Sequence, residues 1–147
     1  MFELDKTLAK DTVALGSLPL SELLLMNDSN YPWLILVPRV EGMTELIHLF
    51  WEDQTTLLAE INLLSRVLRQ QFDAEKLNIA TLGNVVSQLH CHCVARQRND
   101  AAWPAPVWGK VPVVRYPDDA LEKTARGIIK AIDEDRGLAF ASRPSYS

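Results

Sequence analysis

The segment Ser87-Gln88-Leu89-His90-Cys91-His92-Cys93-Val94-Ala95-Arg96 gathers two of the chain's three histidines and both of its cysteines. In an extended strand successive side chains point to opposite faces, so Gln88, His90 and His92 share one face while Leu89, Cys91 and Cys93 share the other. Imidazoles held about 6–7 Å apart on such a strand can address two points of one substrate, one ring as nucleophile and its neighbour handling protons. Both residue types also bind zinc or copper, but the alternation turns thiols and imidazoles apart. No metal and no cofactor is expected, and Cys91 and Cys93 are expected as small buried apolar groups. Two positions apart in a strand, they also fall outside ordinary disulfide geometry.

The elements that must position this segment can be read on either side of it. Ser21 to Asn27 and Trp33 to Val37 are apolar β-type runs separated by the turn-rich Asp28-Ser29-Asn30-Tyr31-Pro32, which predicts an antiparallel hairpin with a long loop. Leu57, Ile61, Leu64 and Leu68 fall on one helical face, predicting a helix from Asp53, placed to cap it, to Phe72. A shorter helix around Thr44 to Phe50 precedes it, with His48 as a half-buried packing residue. Leu77 to Leu82 and Val85 to Ala95 are expected as a second hairpin around the Gly83-Asn84 turn. The proline-rich stretch 99–117, which carries Trp103 and Trp108, is incompatible with a central strand or a helix interior and is expected as an ordered loop. A capped helix follows near 118–134, and the tail from Arg136 is expected on the surface. Trp33 and Trp51 are expected in the core or a dimer interface, because large aromatics mainly bury area. Strands flanking a long helix and joined by hairpins predict an α+β fold, an antiparallel sheet with a long covering helix.

Composition narrows the partners. The 147 residues, 48% of them hydrophobic, suit one domain spanning 1–147. With 15 basic against 19 acidic residues, the net charge of −4 argues against nucleic acid in bulk as a partner. No apolar run reaches the roughly 18–20 residues that span a bilayer, and the charged start of the chain, Met1 to Lys10, lacks a signal-peptide core. The expectation is a cytoplasmic protein with no membrane partner.

The 87–96 segment resembles the signature of the histidine-triad (HIT) superfamily, in which three alternating histidines are followed by hydrophobes and often an arginine. The resemblance extends upstream through the hairpin, the long helix, the strand from Leu77 and Gly83, covering roughly Leu20 to Arg96. Aligning Arg96 with the arginine after the triad makes Gln88 the first member, His90 the second and His92 the third. The other register would put Val94, which cannot handle a proton, in third place.

The resemblance implies a sheet-extended homodimer and a hydrolase or nucleotidyl transferase of the diadenosine polyphosphate hydrolase or phosphoramidase type. In that chemistry His90 attacks the α-phosphorus of a nucleoside phosphate, adenine being the expected base, and forms a nucleotidyl-imidazole that water resolves. A backbone carbonyl would hold the second nitrogen of His90, and His92 would stabilise the phosphoryl oxygens or the leaving group. Asn27 falls at the ribose position, where a turn-forming role is the competing reading, and Asn84 falls where it could reach phosphate. Trp103 and Trp108, in a Trp-Pro segment resembling a bacterial branch of the family, could stack on a base or leaving group. Three departures stand out: Gln88 cannot ionise, Gly83-Asn84-Val85 lacks the family's hydroxyl, and Tyr31-Pro32-Trp33 replaces Pro-Gly-His. They keep open a nucleotide-binding sensor with reduced turnover, or an interaction protein.

Overall fold

A strand with one wet face alternates apolar and polar residues, whereas Leu23-Leu24-Leu25-Met26 and Trp33-Leu34-Ile35-Leu36-Val37 do not alternate at all. The computed structural model, which describes residues 1–146, shows why: the sheet these runs build is covered on both faces. Six strands lie in the order β4-β5-β3-β2-β1-β6, where β1 is Thr12–Ser17, β2 Ser21–Met26, β3 Trp33–Pro38, β4 Lys76–Ala80, β5 Cys91–Arg96 and β6 Ala141–Ser142. All the pairings are antiparallel. The fold is α+β, as the sequence predicts.

One face of the sheet, with Leu23, Leu25, Leu34, Leu36, Cys91 and Cys93, packs against a long helix, α2 (Trp51–Phe72), and a second, α3 (Asp118–Asp135). Burial of Leu57, Leu64 and Leu68 supplies the expected apolar stripe of α2. Glu60 lies within that stripe, fully buried, and its carboxylate accepts the Leu20 and Ser21 N–H groups at 2.7 and 3.3 Å, pinning the β1–β2 turn to the helix. The other face carries Trp33, Ile35, Val37 and Val94 and is covered by a short helix, α1 (Lys6–Asp11), and by the loop 99–117.

Several boundaries differ from the sequence reading. α2 starts at Trp51 with Phe50 in the cap position, and Asp53 makes no capping bond. Asp53 and Glu52 instead occupy the first turn, where carboxylates favour the positive end of the helix dipole. Asp118 and Asp119 likewise occupy the first turn of α3, after Pro117. The segment before α2 forms only a single 3-10 turn, Leu46–His48, leaving His48 exposed. Trp33 is buried as expected, and Trp51, 75% exposed, lies outside the core of the single chain.

The second predicted hairpin is not a tight one. β4 ends at Ala80, which pairs with His92, so the chain from 81 to 90 is an open loop and the strand begins at Cys91 instead of Val85. The charged N-terminus holds α1 and β1, neither of which has a strong periodic signal. The tail does not merely lie on the surface: Ala141–Ser142 pairs with Gly16 and Ser17 as an edge strand. Among the described residues no helix is long and apolar enough to cross a membrane.

Gly16 sits at φ +158°, at an irregularity in the β1–β2 pairing, and a Cβ there would meet the Ala141 carbonyl oxygen and the Phe140 ring. Gly16→Ala should therefore destabilise the fold by about 1–3 kcal/mol through overpacking. A urea titration reads this as a lower midpoint at unchanged slope, and an unchanged midpoint would contradict the close approach.

Candidate active site

β5 lies between β3 and β4, and its residues 92, 94 and 96 point to the α1 side of the sheet. Its opposite face presents Cys91 and Cys93 to the helical core, 3% and 0% exposed. The Cys93 thiol is pushed well up by its hydrogen bond with Cys91 and by burial, so it remains a packing group. Alternation thus separates thiols from imidazoles, although His90 itself stands one residue before the strand.

His90 is 6% exposed, and its Nδ1 lies 2.7 Å from the Gln88 carbonyl oxygen. A carbonyl only accepts, so Nδ1 carries the proton and, in the neutral ring, Nε2 is left with its lone pair. His92 is 4% exposed and makes the opposite contact: the Trp33 indole N–H donates to its Nδ1 at 2.9 Å. An indole nitrogen only donates, so His92 Nδ1 is bare and its proton sits on Nε2. The two rings meet edge-on with centroids 4.8 Å apart, and Trp33 and Trp108 flank His92 at 5.6 and 5.2 Å. Burial, and then the neighbouring His90, push the His92 pKa down to about 3. The chain entering β5 therefore presents a bare nitrogen on His90 beside an N–H on His92.

Both imidazoles line a cavity of about 330 Å³. Its walls are mostly apolar: Leu8 from α1, Met26 at the end of β2, Leu82, Val85 and Val86 from the 81–90 loop, and Trp108. Asn84 joins them, carried by the same loop, which Gly83 bends at φ +142°, a conformation that favours glycine. The Trp108 indole N–H is buried and has no partner among the described residues.

The structure thus brings His90, His92, Asn84 and Trp108 together, and directs three other sequence candidates elsewhere. The Gln88 side chain binds the N-terminal segment, accepting from Asp5 N–H at 2.8 Å and donating to the Glu3 carbonyl at 2.7 Å. Only its backbone oxygen serves His90. The Asn27 Oδ1 accepts the Tyr116 N–H at 2.9 Å and so fastens the 99–117 loop. Trp103 lies against the Arg96 guanidinium, 5.4 Å from its ring centre, in a cluster built on a buried ion pair. There Arg96, 2% exposed, holds both oxygens of Asp100 at 2.7 and 3.1 Å, Asn78 Oδ1 at 2.7 Å and the Ala105 carbonyl at 2.9 Å.

Sequence reasoning missed Trp33 as a site residue, and with it Leu8, Asp11 and Met26. The available signal was the tryptophan standing where the resemblance has a histidine.

A HIT-domain family model matches residues 7–99. The chain belongs to the HIT family. Solved histidine triad proteins from Marinobacter aquaeolei and Bradyrhizobium japonicum share 43% and 42% identity with it, at TM-scores of 0.88 and 0.87. The alignments cover 91% and 89% of this chain and 98% of each relative, so they extend well beyond the HIT-domain match. A Hit-like protein from Bartonella henselae, 16% identical, matches at a TM-score of 0.62 over 86% of this chain and 92% of its own, a likeness of fold alone. No curated protein sequence matches the chain.

The neutral His92 makes a prediction about acid. The folded ring takes a proton only near pH 3, whereas the unfolded ring does so near its ordinary 6.5. Between those values the unfolded chain binds more protons, so stability falls as pH drops through the window and rises as pH increases. His92 alone should contribute a slope of about 1.4 kcal/mol per pH unit. Urea denaturation at several pH values between about 4 and 6 should find a slope shallower by that amount in His92→Gln. Equal slopes in the two proteins would contradict a ring held neutral.

Proposed function

We propose that the chain, placed by its HIT membership in a superfamily of nucleotide-binding hydrolases and transferases, acts at the α-phosphorus of a nucleoside phosphate anhydride or phosphoramidate through a covalent nucleotidyl-histidine on His90. The observation that carries this reading is the Nδ1–H···O=C bond from His90 to Gln88, which leaves the Nε2 lone pair as the ring's one nucleophilic atom. His92 Nε2–H, Asn84 and the partnerless Trp108 N–H supply donors for phosphoryl oxygens, and the apolar wall suits a base, adenine by the family resemblance. The two unpaired thiols, Cys91 and Cys93, fit a cytoplasmic setting.

A homodimer goes with this reading. β4 is an edge strand at the outer margin of the sheet, Ile79 on it is 41% exposed, and unpaired edges invite pairing with a second copy. Light scattering should report a dimer that Ile79→Lys weakens; a monomeric wild type overturns it.

A second reading, a nucleotide-binding sensor with reduced turnover, is favoured by one contact. The Gln88 amide is spent on Glu3 and Asp5 and offers no proton store beside His90. Incubation with dinucleoside polyphosphates separates the two. Turnover should release a mononucleotide and leave an acid-labile nucleotidyl adduct, visible by intact mass, and His90→Ala should abolish both. Saturable binding without release or adduct would instead establish the sensor.

A further inference from the structure

We infer that Trp33 is a positioning residue that holds His92 permanently as a hydrogen-bond donor, and that the site therefore expels only weakly basic oxygen leaving groups. Phosphates, polyphosphates, carboxylates and acidic phenols qualify; amines do not. This inference rests on the proposed nucleotidyl chemistry at His90 and narrows its substrate class.

The constraint lies in the two ends of one ring. Nδ1 of His92 faces an N–H that cannot accept, so a proton added there would set two donors against each other. Nε2 already carries its proton, and giving it up would leave an imidazolate. The ring can donate a hydrogen bond to developing negative charge, but it can neither take up nor deliver a proton. Burial and the adjacent His90 reinforce this, holding the ring's pKa at about 3.

No neighbour substitutes for it. β3 sets Ile35 beside His92 and β4 sets Ala80, neither of which can ionise. Across the cavity the remaining titratable groups are His90, the nucleophile, and Asp11 on α1, whose carboxylate faces the Arg115 guanidinium at 3.9 Å. The Cys91 and Cys93 side chains lie on the other face of the strand. Gln88 cannot ionise, and its amide is engaged with the N-terminal segment.

The steps then balance without an acid. The His90 Nε2 lone pair forms the N–P bond while the P–O bond to the leaving group breaks, and its electron pair departs with that oxygen as an anion. Water next adds to phosphorus, and the N–P pair returns to Nε2. One water proton stays on the product phosphoryl group and the other passes to solvent. Cleaving a P–N bond to an alkylamine would require a proton on nitrogen as it leaves, and general acid help of that kind is worth about 10²–10⁴-fold.

The test uses adenosine 5′-monophosphoryl substrates that differ only in the leaving group: a polyphosphate, a series of phenols of graded acidity, and an alkylamine. The expected result is a steep fall of kcat/KM with leaving-group basicity, the amidate lying at least about 100-fold below the anhydride. Trp33→His, which sets an ionisable ring against Nδ1, should narrow that gap and add a limb to the pH profile that the wild type lacks. Amidate turnover within about tenfold of the anhydride overturns the inference. In parallel, long-range ¹⁵N NMR of the ligand-free protein, with His92 assigned through His92→Gln, should show a single Nε2–H tautomer that does not titrate from about pH 8 to 5. A titrating ring, or one protonated at Nδ1, overturns the lock whatever the kinetics. No turnover of any substrate with the lock intact overturns the hydrolase reading, and the leaving-group rule with it, but not the role of Trp33.

Discussion

An indole N–H can only donate, and a buried acceptor left without a donor costs about 1–3 kcal/mol, so Trp33 and His92 can share the middle of this sheet only as a bonded pair. That single contact sets the protonation of the site. It survives because water is kept out: α2 covers one face of β5, while α1, the 99–117 loop and Trp108 cover the other. In water the same two groups would exchange partners with solvent and the ring would titrate in the ordinary range of histidine. The unbroken apolar character of β2 and β3 and the fixed tautomer of His92 are thus two consequences of one condition, a sheet covered on both sides.

The cover is held by polar residues that resemble functional ones. Arg96 leaves β5 on the same face as His92, and with Asp100 it forms a buried bidentate pair whose carboxylate also accepts the Gln97, Ala102 and Trp103 N–H groups. This node starts the loop that carries Trp108 back to His92, and Arg96 also draws in the Ala105 carbonyl. The loop's far end is fastened by the β2–β3 connection: Asn27 takes the Tyr116 N–H, Ser29 donates to the Val114 carbonyl, and Asn30 donates to that of Pro112. A proline-rich segment has few N–H groups with which to satisfy itself, so neighbouring side chains must do so. That requirement accounts for Ser29 and Asn30 donating to loop carbonyls, while Asn27, an acceptor here, secures one of the few N–H groups the segment has.

Much of the fold was legible because its signals are periodic. The α2 stripe, the β2–β3 hairpin and the alternation of residues 90–93 each follow from a repeat of 3.6 or 2. Weak periodicity hid the rest: α1 spans only Lys6–Asp11, β6 only two residues, and β1 carries a bulge at Gly16. The breadth of the 81–90 loop was hidden for another reason. A glycine beside an asparagine reads as a tight turn, but the register that pairs Ala80 with His92 is set by packing, not by the dipeptide. At the site, alternation placed His92 and the family resemblance supplied the expectation that a carbonyl holds His90. The resemblance marked Trp33 only as a departure from a histidine, because a tryptophan at the start of a strand reads as core whether or not its N–H has a task.

Gln88 shows how far one departure can reach. A carboxamide offers a donor and an acceptor side by side, as a peptide group does, and here it pairs with the Glu3 carbonyl and the Asp5 N–H much as a neighbouring strand would. Asp5 in turn caps α1, its Oδ1 accepting the Thr7 and Leu8 N–H groups at 2.7 and 3.4 Å, and Leu8 forms part of the cavity wall. The carbonyl of the same Gln88 orients His90. One residue thus ties the helix that roofs the cavity to the ring that would act within it, so displacement of α1 would be felt at the Nδ1 bond of His90. An ionisable side chain at position 88 would weaken that tie whenever it changed charge, whereas an amide holds it at every pH.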